Sequence, residues 1–417
     1  MSGFLICRDA AARDGSGHHF LMRRGPVSTR TLEAEGFRFT HYLSDGAADV
    51  ANRLLDGEIA CVFDGEIYGR PANEGLGAFL ADRYRQLGED FARGLEGDFA
   101  VAIYDFRRRI LVAATDAFAT KPIFLHGDAV SSYSSALGGG QRLPPNTLAV
   151  VGLDDGTRRF RTIEPFDFSH QHKDHYDDWI DAFEQAVARR AIAGGASGCY
   201  LPLSAGYDSG GIDCALRQLG LPYRSYSIHG RENLELLRRR GRENGEILPM
   251  DEAVFAAQSE LLHGCCEPAS FRVTIFTGEE EDYEIHDDRA SRGLALIHAR
   301  AAAEGRRFFL SGTGVDETLA ANRHWPDARF PDPLLPWPDF DGNWQTAYLA
   351  KEELVAGVFG AEGRYPYLDR RVVQEFLWLR ADLKSRRYKA PLYEYMRSHG
   401  YPFDENVKTG FNPLPQD

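Results

Sequence analysis

The sequence predicts a mixed α/β chain of two domains: a strand-rich first domain over residues 1–168 and a doubly wound parallel-sheet domain over 169–417. Three observations carry this. Strand-like and helix-like segments alternate from about residue 198 onward, the pattern of a parallel sheet with helices on both faces. Before residue 165 strand-like segments dominate. Between the two regions lies the polar stretch SHQHKDHYDD (169–178), with the composition of a linker.

In the first region LEGDFAVAIYD (95–105) alternates large and small residues and places Phe99, Val101 and Ile103 on one face. Further strands are expected at 59–69, 109–116 and 146–153. One helix is expected at 75–88, with Leu76, Phe79, Leu80 and Tyr84 on a face. The linker carries His170, His172 and His175, so a metal site there is the alternative to a solvated connection. A helix over about 176–193 follows, with Ile180, Phe183, Val187 and Ala191 at helical spacing and Gly194-Gly195 as its stop. The alternation then runs strand 198–203, helix 210–219, strand 223–229, helix near 250–263, strand 271–276, helix 289–303 and strand 307–310. The charged run 231–246 reads as a solvated excursion, and the proline-rich 325–339 as an ordered loop near the site.

Composition narrows the class. A hydrophobic content of 43% with 12% aromatics supports packed cores rather than general disorder, and a net charge of −14 argues against a nucleic-acid surface. No apolar run approaches membrane-spanning length and no charged-then-apolar leader is present, so a cytoplasmic protein without a membrane partner is expected. The six cysteines show no C-x-x-C spacing and are expected as free thiols.

The chemistry concentrates at CYLPLSAGYDSGGIDCAL (199–216), a short apolar strand entering a small-residue turn and then a helix start. Side chains without bulk let backbone N–H groups approach an anion, and the helix N-terminus adds its positive end. Ser204-x-Gly206-x-Asp208-Ser209 resembles the pyrophosphate loop of the ATP pyrophosphatase superfamily, with Ala205 where glycine is usual. It is not an ATPase P-loop, because no G-x-x-x-x-G-K-[ST] occurs. A second loop, SGTGVDE (311–317), follows strand 307–310 and should open at the same sheet edge.

Together with AEGRYPYLDRR (361–371), Lys389 in YKAPLYEYM and Lys408-Thr409-Gly410-Phe411, the two loops resemble the asparagine synthetase family. The first half is similar to that family's glutaminase: DGEIYG (64–69), LEGDFAVAIYD and TDAFATKPIF (115–124) match its motifs. The resemblance implies an N-terminal-nucleophile (Ntn) hydrolase-like α+β sandwich followed by an ATP-pyrophosphatase domain of the adenine nucleotide alpha hydrolase type. It implies that ATP and Mg²⁺ are used, with Ser204, Gly206, Asp208, Ser209, Gly312, Gly314 and Lys389 around the pyrophosphate. Asp208 and Asp316 would ligate the metal, and Leu203 and Ile228 would flank adenine. Glu362 would accept the amine proton, and Lys408 would stabilise the developing anion. Thr313 stands where two family branches have a tyrosine paired with a glutamate, and it joins the catalytic candidates.

The glutaminase chemistry does not carry over. Position 2 is Ser2 rather than Cys, Asp64 replaces an oxyanion-binding Asn, and 72–74 reads Ala-Asn-Glu where the family has Ser-Asp. The resemblance is therefore nearest in logic to members with a degenerate first domain, such as β-lactam synthetase, carbapenam synthetase and lasso-peptide cyclases. It implies an AMP-forming amide ligase that joins a substrate carboxylate to an amine of a small molecule or peptide, in specialised biosynthesis. Two alternatives stay open: ammonia-dependent amidation, and a non-catalytic nucleotide-binding scaffold. A homodimer is left open as the assembly. Substitution of Lys408 by Ala separates these readings: turnover is abolished in a ligase, whereas a scaffold's nucleotide-dependent behaviour is unchanged.

Overall fold

The computed structural model describes residues 2–8, 17–25, 28–43, 54–55, 58–71, 75–192, 198–241, 244–275, 277–319, 329–405 and 411–415. The chain divides into two compact units, Met1–Pro165 with Gly357–Gly360, and Phe166–Ala356 with Ala361–Asp417.

In the first unit, β1 (Ser2–Cys7), β2 (Ser28–Ala34), β3 (Phe37–Leu43), β8 (Phe124–His126), β9 (Ala129–Ser131) and β10 (Gln141–Arg142) form one six-stranded sheet. The second six-stranded sheet comprises β4 (Leu54–Leu55), β5 (Ile59–Tyr68), β6 (Glu96–Asp105), β7 (Ile110–Thr115), β11 (Thr147–Gly152) and β12 (Arg158–Thr162). The period-two alternation of β6 explains the layering. Ala100, Ala102 and Tyr104 pack with Phe4, Ile6, Phe37 and Phe39 of the facing sheet. Phe99, Val101 and Ile103 point the other way, against Leu80 and Tyr84 of the helix Leu76–Leu87. That helix, α2, follows α1 (Gly17–Arg24) in the chain.

The second unit begins with α3 (Asp177–Ile192), whose Trp179, Ala182, Phe183, Ala186 and Val187 are buried. Its sheet is parallel throughout, in the order β15 (Gly245–Pro249), β14 (Tyr223–His229), β13 (Cys199–Pro202), β18 (Phe308–Leu310), β19 (Glu362–Arg364). The order runs outward in both directions from the β13–β18 pair. The crevice at the carboxyl ends of those two strands is thus the topological switch point, where ligands bind in open parallel sheets. The helices are α4 (Tyr207–Gln218), α5 (Leu234–Arg240), α6 (Glu252–Cys265), α7 (Arg289–Ala303), α8 (Val315–Thr318), α9 (Asn343–Gly357), α10 (Arg370–Trp378), α11 (Ala381–Lys384) and α12 (Ala390–Ser398).

Two expectations are corrected, and one strand was not expected. The strand expected at 271–276 is not part of the parallel sheet: β16 (Ser270–Thr274) pairs antiparallel with β17 (Glu280–Glu284) as a separate hairpin. The charged run 231–246 is not a solvated excursion. Its helix α5 buries Leu236, Leu237 and Arg240, and its end supplies edge strand β15. Strand β19 went unforeseen because Glu-Gly-Arg carries no apolar signal. It is nevertheless buried, with Glu362 and Arg364 ion-paired at 3.0 Å. A strand whose charges neutralise one another needs no hydrophobic pattern.

The linker histidines lie in an irregular segment where His170 contacts Asp167 at 2.8 Å. Among the described residues no group of three or more His, Cys, Asp or Glu is placed to hold a metal, and no helix is long and apolar enough to cross a membrane. The six cysteines form no disulfide.

In the second unit, His298 of α7 is fully buried, with its ring tilted against Phe309 and bonded through Nδ1 to the Tyr200 hydroxyl at 2.6 Å. Burial pushes its pKa down from 6.5 to about 3. The imidazole therefore stays neutral in the fold while the unfolded chain protonates below pH 6.5, so its contribution to stability is present above that pH and is lost as pH falls towards 3. Chemical denaturation of wild type and His298→Gln across pH 3–7 should show a shallower acid-side loss in the variant.

Candidate functional site

The loop after β13 is closed by its own hydroxyls. Ser209 Oγ accepts the Ser204 amide at 3.0 Å and lies 3.0 Å from Ser204 Oγ, which in turn accepts the Gly206 amide at 3.1 Å. Gly206 caps α4, so the small-residue turn delivers the chain directly to a helix N-terminus. Arg240, wholly buried, donates from Nη1 to the Ser204 carbonyl at 2.6 Å and the Gly206 carbonyl at 2.8 Å. Glu232 accepts the Ala205 amide at 2.8 Å through one oxygen and the Asn412 amide at 2.8 Å through the other. These partners lie in, or just before, the charged helix α5. Ala205 avoids the left-handed backbone that would require glycine, and its methyl packs with Leu236 and Leu237.

The loop after β18 approaches this first loop closely. A methyl at Gly312 would lie 2.8 Å from Asp208 Cβ and 3.0 Å from the Ser209 nitrogen. Gly314 has φ +100, and there the Leu368 side chain occupies the space of a Cβ. Lys389 ties the two loops together. Its ammonium bonds Asp208 Oδ1 and sits 3.0 Å from Asp316 Oδ1, which also accepts the Tyr388 hydroxyl at 2.8 Å. Burial opposes the charge of Lys389, but the two carboxylates outweigh it and hold the pKa well above its usual range. The residue itself has φ +48, an uncommon backbone for a side chain of this size, at the start of α12. Next to Asp316, Glu317 is pushed up to about 8 by burial and by the Asp316 charge. Its carbonyl accepts Trp337 Nε1 at 2.6 Å, which anchors the described part of the proline-rich stretch beside the loop.

Both loops open into one cavity of about 520 Å³. Ser204, Gly206, Asp208, Ser209, Gly312, Thr313, Gly314 and Asp316 line it, as the sequence expects. Lys389 lies beneath, between the carboxylates. Leu203 and Ile228 are fully buried and do not line it; Ile228 packs with Tyr200, Tyr226 and Phe309. Glu362 is also buried away from the lining, beside Arg364. Lys408 lies outside the described residues, although Phe411 reaches the cavity wall.

The structure adds residues that sequence reasoning missed. Glu352 of α9 lines the cavity and accepts the Thr313 hydroxyl at 2.9 Å. Burial raises its pKa, while the nearby Lys351 charge and the Thr313 hydroxyl act in the opposite direction. Lys351, Tyr283, Trp344 and Tyr348 also line the cavity. The only signal was the Lys351-Glu352-Glu353 run, which reads equally well as a solvated helix face.

Asp64, expected at an oxyanion-binding position, lies on β5 of the first unit. It is wholly buried and ion-paired with Arg24 Nη2 at 2.7 Å, itself wholly buried. An acceptor bound to a guanidinium is not an oxyanion donor. The Ser2 side chain and residues 72–74 lie outside the described residues.

A glutamine amidotransferase domain model matches residues 51–137, within the first unit. "Asparagine synthetase [glutamine-hydrolyzing] 2" of Arabidopsis thaliana is 24% identical over 268 residues, covering 58% of this chain and 43% of the relative. Both similarities support the asparagine synthetase family. The match spans less than half the length of that relative.

Replacing Asp64 by Asn leaves the Arg24 charge buried without its counter-ion, a change that typically costs about 3–5 kcal/mol. Urea denaturation of the Asp64→Asn variant should show a loss of that order.

Proposed function

We propose that the protein is an ATP-dependent carbon–nitrogen ligase that adenylates a substrate carboxylate and passes the acyl group to an amine. The observation that carries this reading is the convergence of two small-residue loops at the switch point of a parallel sheet, with Asp208 and Asp316 on one ammonium. The similarity to asparagine synthetase supports the reaction class.

The donor set fits Mg²⁺. Asp208 and Asp316 offer hard oxygen ligands drawn together by a positive charge, and the described residues offer no larger protein cage. Two carboxylates with phosphate oxygens and water making up the remainder is the usual way this ion is held. When bound, it neutralises charge on the phosphates. The chain's own residues do the rest. The loop Ser204–Ser209 and the α4 N-terminus receive the β- and γ-phosphates, and Lys389 holds the two carboxylates in register. The substrate carboxylate oxygen attacks the α-phosphorus and pyrophosphate leaves. The amine nitrogen then attacks the acyl carbon, AMP departs with the C–O electron pair, and the amine proton passes to a carboxylate.

Glu352 is placed for that last step, because it lines the cavity and its Oε2 has no hydrogen-bond partner among the described residues. Glu362 fills the same role only from behind its Arg364 pair. Lys408 belongs on the developing anion. We further propose that the first unit does not hydrolyse glutamine, since Asp64 is committed to Arg24.

ATP–pyrophosphate exchange with Mg²⁺ tests the assignment, run without glutamine or amine against amino acids, amino-sugar acids and peptide carboxylates. Exchange with one carboxylate is expected, and Asp208→Asn or Asp316→Asn should lower it at least about a hundredfold. Glu352→Gln should leave exchange intact and stop amide formation, whereas Glu362→Gln doing so instead would return the proton to Glu362. Absence of both exchange and calorimetric ATP binding would sink the ligase reading.

A further inference from the structure

The cavity has two chemically different ends. Away from the loops its wall is aromatic: Tyr283 lies 5.4 Å from Trp344 and 5.9 Å from Tyr348, and Trp344 lies 5.1 Å from Tyr348, centroid to centroid. Tyr283 comes from the β16–β17 hairpin, which Asn343 and Trp344 latch in place. Asn343 Oδ1 accepts the Thr274 amide at 2.7 Å, while Asn343 Nδ2 and Trp344 Nε1 donate to the Thr274 carbonyl at 3.0 and 3.2 Å.

The charges at this end are unbalanced. Lys351 is the one cationic side chain among the described lining residues, and it faces two carboxylates, Asp288 and Glu352. Its ammonium is 3.1 Å from Asp288 Oδ2 and sits 4.6 Å from the centre of the Tyr348 ring. Asp288 also accepts the Tyr283 hydroxyl and the Ala290 amide, the latter at 3.1 Å. That leaves Glu281 at the rim and Glu352 inside. Glu352 is 94% buried, since only 6% of it is exposed. One oxygen accepts from Thr313, the Ser311 hydroxyl also stabilises the carboxylate, and Oε2 has no hydrogen-bond partner among the described residues. A buried carboxylate oxygen without a partner, on a residue that lines the cavity, calls for a donor. Aromatic faces beside it favour a cation over an anion or a neutral group.

We propose that this end binds an amine that arrives as an ammonium ion on an apolar or aromatic body, with its nitrogen on Glu352 Oε2 and its body against Tyr283, Trp344 and Tyr348. The assignment of this amine as the acyl acceptor rests on the ligase reading above; the binding itself does not. On transfer, an N–H bond of the ammonium breaks and an O–H bond forms at Glu352. The free amine lone pair then attacks the acyl carbon, AMP departs with the C–O electron pair and takes the second nitrogen proton on its phosphate, and Glu352 is left neutral. Free ammonium leaves the aromatic wall unused, so it is the poorer ligand.

The test is direct binding to the full chain without nucleotide, by calorimetry and intrinsic tryptophan fluorescence. The probes are 2-phenylethylammonium, its neutral isostere 2-phenylethanol, the anionic 3-phenylpropanoate, and ammonium chloride. The arylalkyl ammonium should bind at least about tenfold more tightly than each of the others, the margin a charge-assisted hydrogen bond supplies. Glu352→Gln should remove that margin without weakening 2-phenylethanol. Equal binding of the ammonium and the alcohol by wild type, or no binding of the ammonium, overturns the proposal without reliance on any variant's folding. Ammonium preference with silent pyrophosphate exchange would keep this site and discard the ligase, whereas exchange without the preference would do the reverse.

Discussion

Two carboxylates brought side by side in a cleft repel one another, and in this protein a buried ammonium resolves the conflict. Lys389 bonds both Asp208 and Asp316, which belong to loops following different strands. The tie sets the distance between the loops, and glycine at 312 allows that distance because any side chain there would meet Asp208. A left-handed backbone at Lys389 is the local cost, of the order of 1–3 kcal/mol for a residue of this kind. Tyr388 adds to this network by donating its hydroxyl to Asp316.

A second layer supports the first. The carbonyls of Ser204 and Gly206 are taken by Arg240, and the Ala205 amide by Glu232. A loop that must present amides on one side needs its other polar groups satisfied inside the protein. Glu232 also holds Asn412, so the loop after β13 and the last described segment share one carboxylate. This gives physical content to a helix that composition alone marks as surface.

The two units treat buried charge differently. In the second unit, the charges converge on a cavity and leave Glu352 with an open oxygen. In the first, Arg24 and Asp64 neutralise each other with no exposure at all. The alternating apolar residues of β6, facing Phe4 and Phe39 on one side and Leu80 on the other, do not depend on that pair.

Local pattern sufficed for most elements and for the two loops. Helices α2, α3, α6 and α7, strands β5, β6 and β14, and the lining residues Ser204, Gly206, Asp208, Ser209, Gly312 and Asp316 were legible because each follows from short-range rules: helical or alternating spacing, and small residues between a strand and a helix. Lys389 was legible only through a family likeness, since nothing in its neighbours announces a residue that bonds two distant aspartates. The tertiary structure alone decided the rest. It placed Glu352 rather than Glu362 on the cavity wall, and turned Arg240 from a surface charge into a loop support. It also moved the 271–276 segment out of the main sheet to carry Tyr283 towards the site. Each of these depends on which partner a polar or strand-forming residue meets across long sequence separations. A linear pattern of hydrophobicity and charge does not encode that meeting, because a buried charge satisfied by a distant counter-ion has the same local signature as an exposed one.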